Sequence, residues 1–145
     1  MLIRVTGVLI EDSKLLVLRQ ETDAGRQFSL PGGRTEEGEA LGDALVREML
    51  EETGLLVEAV RLLYLCDHLP GNGTHVVHVT FEVRRVGGTL GAIMPGKDTR
   101  PIRGVEFVPI ADLSLFGFGE RFAELARAGF PRAGSYMGPK SSIGL

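Results

Sequence analysis

The chain has little cysteine, and that scarcity limits the chemistry it can use. Cys66 is the one cysteine in 145 residues, so an internal disulfide is excluded. Its neighbours Leu63, Tyr64 and Leu65 are apolar, which predicts a buried thiol in a reducing compartment. No base lies close to Cys66 in the sequence, so we do not expect it to be a catalytic nucleophile.

Long apolar runs and a strong net charge are also absent. No apolar segment reaches the ~18 residues of a membrane span, and Met1 leads directly into a strand-like pattern without a basic region and a long apolar run. We therefore expect a cytoplasmic protein with no membrane partner. The net charge of -3 gives no support for a nucleic acid polymer as partner, which would favour a basic surface. A small phosphorylated ligand needs only local positive charge.

Length and composition predict one compact domain with a C-terminal tail. The 145 residues are 43% hydrophobic and 24% charged, which is typical of a globular domain. We expect the domain to cover residues 1–130 and a tail rich in Gly, Ser and Pro to cover residues 131–145. An irregular surface tail is favoured, because terminal segments of this composition are usually mobile. A segment that folds across the site or a partner subunit stays open, given Arg132, Tyr136 and Lys140.

Strand-like and helix-like patterns alternate along the chain. A β-hairpin is predicted from two aliphatic runs, residues 3–10 and 14–19. Further strands are predicted at residues 55–65, 76–86 and 105–110, with helices at 39–53 and 118–128 and a loop at 91–103. Gly54 is suited to the left-handed C-cap of the first helix. This order fits a mixed sheet packed between helices.

The first predicted helix concentrates negative charge on a buried stripe. Ala44, Glu48 and Glu52 recur every four residues, so its apolar face continues into carboxylates. Glu51 adds a third carboxylate, and like charges at these spacings destabilise a bare helix by about 0.2–0.5 kcal/mol per pair. A cation is therefore expected among them, and Mg²⁺ takes oxygen ligands of this kind. The alternative is a solvated face on which Arg47 pairs with Glu51.

The same helix lies within a longer pattern, residues 33–55. Gly33 is followed after five residues by Glu39, and after seven more by Arg47-Glu48-Met49-Leu50-Glu51-Glu52-Thr53-Gly54-Leu55. A chance match of this pattern is expected in on the order of one chain in 10⁷. Every position matches the signature of the Nudix hydrolases, G-x5-E-x7-R-E-U-x-E-E-x-G-U, where U is a bulky aliphatic residue. The chain therefore resembles this family, and residues 33–55 are called the signature below. The residues before it resemble the loop that enters the family's catalytic helix: Phe28-Ser29-Leu30-Pro31-Gly32-Gly33.

The resemblance implies an α/β fold, the Nudix-type α/β/α sandwich with a mixed β-sheet between helices. It also implies a Mg²⁺-dependent hydrolase, with Mn²⁺ as a substitute, that cleaves the pyrophosphate linkage of a nucleoside diphosphate linked to another group by water attack on phosphorus. The metal ligands it implies are Gly32, through its carbonyl, and Glu48, Glu51 and Glu52. Glu39 and Arg47 would brace the loop and the helix ionically.

The general base and the substrate stay open in the sequence. Glu48 or Glu52 could be the base, or an acidic residue outside the pattern: Glu82, Asp98 or Glu106. Alternation places His78, Thr80 and Glu82 on one strand face, for which a solvent-facing surface is favoured.

Candidate substrate contacts are Arg4, Arg19, Phe28 and Gly33, although surface arginines and a core phenylalanine explain three of them equally well. Pro70, fifteen residues after Leu55, matches a spacing associated with ADP-ribose preference among relatives, but it also lies in a turn-rich run. ADP-ribose and nucleoside triphosphates are both candidate substrates.

Two other functions are compatible with the same fold. A nucleotide-sensing binding module is one, although such proteins often lose the glutamates that are all present here. Isomerisation of an isoprenyl diphosphate would need a proton-transfer pair such as a Cys and a Glu, and Cys66 stands alone in an apolar run. The expected partner is a small nucleotide-type diphosphate, and both a monomer and a homodimer remain open.

Overall fold

The computed structural model describes residues 1–22, 25–71, 73–94 and 100–145. Within them the chain forms a five-stranded and a three-stranded sheet. The first sheet contains β1 (Leu2–Val8), β4 (Gly32–Arg34), β5 (Leu55–His68), β6 (Val76–Gly88) and β8 (Ser135–Pro139). The second contains β2 (Ile10–Glu11), β3 (Lys14–Leu18) and β7 (Val105–Pro109). The α-helices are α1 (Leu41–Thr53) and α2 (Glu120–Arg127), and short 3₁₀ segments span Ile110–Phe116 and Lys140–Ile143.

The larger sheet is mixed, as predicted, and its strand order is β4-β1-β6-β5-β8. β1 runs antiparallel to β4 and parallel to β6, while β5 is antiparallel to β6 and parallel to β8. Its two faces carry separate apolar clusters. Ala44, Leu45 and Met49 of α1 join one cluster, and Phe122 and Leu125 of α2 join the other. The predicted α/β/α sandwich is therefore confirmed.

The predicted hairpin is correct only at its turn. Ile10 pairs with Leu15 and Glu11 with Lys14, and the turn places Asp12 at a positive φ of 50°. Residues 2–8 belong instead to the other sheet, where they pair with β6 from end to end. Val5 belongs to one cluster and Val8 to the other, so this strand serves both. A long hairpin would have separated the strand from β6.

The signature helix ends as the sequence predicts. Gly54 has φ 79°, and its N–H donates to the Leu50 carbonyl. A Cβ at Gly54 would lie 2.1 Å from the Thr89 carbonyl oxygen, so close approach adds to the conformational requirement for glycine. The helix begins at Leu41 rather than at residue 39 because Ala40 is extended, with φ -68° and ψ 151°.

The prediction of an irregular surface tail at residues 131–145 is wrong. Ser135 and Tyr136 of β8 pair in register with β5. Ile143 is 1% exposed, and the Gly144 carbonyl accepts a hydrogen bond from the Gly119 N–H over 3.0 Å. A composition rich in Gly, Ser and Pro hides this docking, because a single buried Ile143 and a few turn glycines are sufficient to fold the segment back.

The remaining elements lie close to their predicted positions. The second helix is shorter than residues 118–128, since Gly119 is extended at its N-terminus. The loop predicted at residues 91–103 includes residues 95–99, which lie outside the described part. In the described ranges, no helix is both long enough and apolar enough to cross a membrane.

Candidate active site

Arg47 is the centre of the ionic contacts on α1. Its Nε and Nη2 donate to the two carboxylate oxygens of Glu39 over 2.8 and 2.9 Å. Its Nη1 lies 2.9 Å from Glu48 Oε1 and 3.5 Å from Glu51 Oε2, and its Nη2 donates to the Arg34 carbonyl over 3.1 Å. The hydrogen bond from Arg47 lowers the pKa of the Glu39 carboxyl to about 2. One guanidinium thus connects the loop, strand β4 and the helix, which is the bracing geometry expected for Glu39 and Arg47.

Two glycines let strand β4 approach the glutamates closely. Glu52 is 2% exposed, and its Oε1 accepts a hydrogen bond of 2.6 Å from the Gly32 N–H. A Cβ at Gly32 would lie 2.1 Å from the Val5 carbonyl oxygen. A Cβ at Gly33 would lie 2.3 Å from Cδ of Glu48. Any side chain at position 33 would displace this carboxylate.

Burial argues against the solvated-face alternative for two of the three glutamates. Glu48 is 9% exposed and Glu52 is 2% exposed. Ionised carboxylates are rarely buried to this extent unless they are paired or bind a cation. The Arg47–Glu51 pair expected by the alternative is present, and Arg47 also pairs with Glu48, but neither pair includes the more deeply buried Glu52.

The donor set suits a hard divalent cation in its chemistry. Glu48, Glu51 and Glu52 supply carboxylate oxygens on adjacent turns of one helix. Among the described residues, no three His, Cys, Asp or Glu side chains converge as ligands. The reason is visible in the contacts, because Arg47 engages Glu48 and Glu51 while the Gly32 amide engages Glu52. Arg47 and the Gly32 amide therefore already contact the three carboxylates that would hold a metal.

A cavity of about 380 Å³ opens beside β4 on the sheet face opposite α1. Its floor includes one row of neighbouring positions across four strands: Arg34 of β4, Arg4 of β1, His78 of β6 and Cys66 of β5. Thr6 and Thr80 form the next row. Five cationic side chains line this space: Arg4, Arg26, Arg34, Arg100 and Lys140. Glu21 is the one Asp or Glu among the described lining residues, so the cavity favours anions.

His78 is held neutral inside the cavity. Burial, together with the charges of Lys140, Arg4 and His68, lowers the pKa of its imidazole from 6.5 to about 3. A neutral imidazole offers one hydrogen-bond donor and one acceptor. Thr80, two residues on, is 4% exposed. The expectation that this strand face meets solvent is therefore wrong at His78 and Thr80, since both line the cavity.

Arg26 forms a structural part of the wall. Its guanidinium lies 4.5 Å from the centre of the Phe118 ring, and its Nε donates to the Phe28 carbonyl over 2.6 Å. Burial lowers its pKa. Arg100 is similarly used, because its Nη1 donates to the Thr22 carbonyl over 2.9 Å.

The structure separates the predicted substrate contacts. Arg4 lines the cavity, and Gly33 contacts the Glu48 carboxylate region. The Phe28 ring packs edge-to-face on Phe116, with centroids 4.9 Å apart, and belongs to an apolar cluster. Arg19 is exposed, and its backbone pairs with Gly104 and Arg103. Neither Phe28 nor Arg19 is among the described residues that line the cavity.

Of the candidate bases outside the signature, Glu82 and Glu106 lie in the described part of the chain. Glu82 pairs with Arg61 over 2.7 Å. Glu106 sits on β7 opposite Val17. Asp98 lies outside the described residues. Neither Glu82 nor Glu106 lines the cavity.

Sequence reasoning missed Arg34 and underrated Lys140 as a site residue. Arg34 follows Gly33 directly, but only its pairing with Arg4 on β1 shows that it lines the cavity. Lys140 belongs to the segment expected to be irregular. The predicted burial of Cys66 is confirmed, at 2% exposure, and burial raises the pKa of its thiol to about 11.

Similarity to known proteins covers most of the chain. The model of the NUDIX domain matches residues 1–128. An ADP-ribose pyrophosphatase from Methanocaldococcus jannaschii is 33% identical over 119 residues, which is 80% of this chain and 66% of that protein. An 8-oxo-dGDP phosphatase from Mus musculus is 34% identical over 80 residues, 55% of this chain and 24% of that protein. The chain thus spans less than two thirds of these relatives.

Solved structures share the fold. A NUDIX hydrolase from Nitrosomonas europaea superposes with a TM-score of 0.67 at 25% identity, covering 79% of this chain and 76% of that one. An ADP-ribose pyrophosphatase from Streptococcus suis gives a TM-score of 0.65 at 23% identity, covering 93% of this chain and 97% of that one. Both place the architecture described above among known structures.

Proposed function

Because the chain belongs to the Nudix family, we propose that it hydrolyses the pyrophosphate linkage of a nucleoside diphosphate bonded to another group. The observation that carries the proposal is the placement of Glu48 and Glu52. Both are buried on α1 against a glycine strand, and that strand continues through Arg34 into a cation-lined cavity. Strand β4 is at the edge of the sheet, with carboxylates against one of its faces and arginines against the other. This arrangement suits a metal-bound phosphate anion at that edge.

Divalent metal ions are general cofactors of Nudix hydrolases, and Mg²⁺ is the ion proposed here, with Mn²⁺ as a substitute. Glu48, Glu51 and Glu52 would hold it. When bound, the ion neutralises charge on the phosphate oxygens and lowers the pKa of a coordinated water. Arg47 holds both carboxylate oxygens of Glu39 and so fixes the start of the helix.

The chain's other residues orient the substrate. Arg34 and Arg4 are placed to bind phosphate oxygens, since both line the cavity next to the glycine strand. A water oxygen attacks one phosphorus, the bond from that phosphorus to the bridging oxygen breaks, and the bridging oxygen leaves on the second phosphate. Glu48 or Glu52 accepts the proton of the water. The products are a nucleoside monophosphate and a phosphorylated remainder.

ADP-ribose and nucleoside triphosphates are both proposed as substrate classes. The relative from Methanocaldococcus jannaschii is named an ADP-ribose pyrophosphatase, and Pro70 lines the cavity, which supports the first. The murine relative is named an 8-oxo-dGDP phosphatase, which supports the second class, nucleotides that carry no further group on their phosphates.

The test is hydrolysis of a substrate panel with Mg²⁺. The panel contains nucleoside triphosphates, ADP-ribose, dinucleoside polyphosphates and nucleotide sugars, and release of phosphate or nucleoside monophosphate is measured. Glu52→Gln should lower turnover by about 100-fold or more. Glu58→Gln, an exposed glutamate paired with Arg84, is the matched control and should retain activity. Chelation should abolish turnover, and added Mg²⁺ or Mn²⁺ should restore it.

A wild-type protein that binds a nucleotide but cleaves no member of the panel would contradict the proposal. The nucleotide-sensing binding module would then replace it.

A further inference from the structure

The C-terminal segment, residues 135–145, lies beyond the family match at residues 1–128 and is anchored to the domain at several points. Strand β8 pairs with β5. The Tyr136 hydroxyl donates to the Asp67 carboxylate. Ile143 is buried in the cluster of α2, and the Gly144 carbonyl accepts from Gly119. The segment therefore has a defined position against the sheet.

That position brings new side chains into the cavity. Lys140, Ile143 and Leu145 all line it. Lys140 is close enough to His78 for its charge to disfavour the protonated imidazole, and Arg4 acts on His78 in the same way. The cavity end near β6 is thus shaped by residues that come from outside the matched domain.

This end is separated from strand β4, against which Glu48 and Glu52 are buried. Neighbouring strands lie about 4.8 Å apart, and β6 is two strands away from β4, across β1. His78 therefore lies about 10 Å across the sheet from the row position of Arg34. A pyrophosphate held beside β4 leaves the β6 end to another part of the same substrate.

The charges at the β6 end favour an anion over a neutral group. Arg34 lies at the β4 end of the cavity, and Arg26 and Arg100 form parts of its wall through their bonds to the Phe28 and Thr22 carbonyls. Arg4 and Lys140 are the cavity cations whose charges act on His78, and Glu21 is the one carboxylate side chain among the described lining residues. A neutral His78 adds an N–H donor without requiring a counter-charge.

We propose that Lys140, Arg4 and His78 form a subsite for an anionic substituent of the substrate, a phosphate or carboxylate carried at a distance from the pyrophosphate that is cleaved. The proposal rests on the proposed function, because it concerns the remote end of the same substrate. The C-terminal segment is then a specificity element: it supplies the lysine that distinguishes charged from uncharged substituents.

The test uses two pairs of compounds that differ by one anionic group. NADPH carries a phosphate that NADH lacks, and UDP-glucuronate carries a carboxylate where UDP-glucose has a hydroxymethyl group. Dissociation constants are measured calorimetrically in EDTA, so that binding is separated from hydrolysis. The wild type should bind the charged member of at least one pair about tenfold more tightly, the size expected of one charge-assisted contact. The pair that responds distinguishes phosphate from carboxylate.

Variants at position 140 test whether Lys140 causes the preference for the charged member of each pair. Lys140→Met and Lys140→Gln should reduce it to within about twofold while leaving the affinity for the uncharged member unchanged, and Lys140→Arg should retain most of it. Lys14→Met, at an exposed lysine of β3 outside the cavity, is the matched control and should behave as wild type. Circular dichroism confirms that each variant is folded.

Equal wild-type affinities within both pairs would overturn the subsite, as would failure of both charged members to bind. An equal loss for both members in Lys140→Met would also overturn it. If the preference is present and depends on Lys140 but no compound is cleaved with Mg²⁺, the subsite stands and the hydrolase proposal fails.

Discussion

Gly33→Ala tests whether close approach of strand β4 sets the position of Glu48. The added Cβ would lie 2.3 Å from Cδ of Glu48 and 2.4 and 2.5 Å from its two oxygens. Non-bonded carbon atoms prefer about 3.5–4.0 Å, so the carboxylate must retreat by more than about 1 Å. Arg47 Nη1, which holds Glu48 Oε1 at 2.9 Å, opposes that movement. A displacement of this size at a reacting centre costs about 100-fold in rate.

The assay compares kcat/KM for the best panel substrate with thermal unfolding of the same samples. We expect Gly33→Ala to lose about 100-fold in kcat/KM and to be destabilised by about 1–3 kcal/mol through overpacking. Gly42→Ala is the matched control on α1, because a Cβ there meets nothing within 4 Å. It should keep full activity and gain up to about 1 kcal/mol from helix propensity. A folded Gly33→Ala protein with near wild-type kcat/KM would refute the reasoning.

Three further predictions follow from charged and buried groups. Arg47→Lys cannot reproduce the two-point contact with Glu39, so carboxyl NMR should show the pKa of Glu39 rising from about 2 and activity should fall. His78 has a folded pKa near 3 against 6.5, so only the unfolded state takes up this proton. Unfolding free energy in urea should therefore fall as pH drops from 6.5 toward 3, by at most about 1.4 kcal/mol per pH unit for this group, and less steeply in His78→Asn. Cys66, with a pKa near 11 and 2% exposure, should react with thiol reagents slowly in native protein and fast in urea; fast native reaction would contradict its burial.

Local patterns were sufficient to predict the signature helix and its ionic contacts. The spacing of Glu48, Glu51 and Glu52 predicted a helix face, and Gly54 marked its end. The Glu39–Arg47 contact was expected from the family resemblance and is present. Helical periodicity determines which side chains share a face within α1, whereas the contact with Glu39, which precedes the helix, is implied only by the resemblance.

The cavity could not be predicted, because it depends on strand pairing over long distances. Arg4, Arg34, His78 and Cys66 become neighbours only when β1 is placed between β4 and β6 and β6 pairs with β5. The sequence favoured a hairpin for residues 3–10, which would have sent β1 elsewhere. The alternation of polar residues at His78 and Thr80 is visible in the sequence. Strand residues that line a cavity and strand residues that face solvent both recur at every second position, so the pattern does not distinguish them.

The C-terminal segment was misjudged for a related reason. The composition of residues 131–145 indicates only the average tendency of the segment to be irregular. Its attachment to the domain depends on single residues such as Ile143, which is buried in the cluster that contains α2. Parallel pairing of β8 with β5 is likewise invisible in local sequence.

The alternation of β1 and β6 has an evolutionary consequence. Val5 and Val79 face the cluster beneath α1, while the adjacent Arg4 and His78 face the cavity. Because successive residues of a strand point in opposite directions, substitutions at the cavity positions need not alter the packing beneath α1. The range of molecules that the cavity accepts and the packing of α1 can therefore evolve independently of each other.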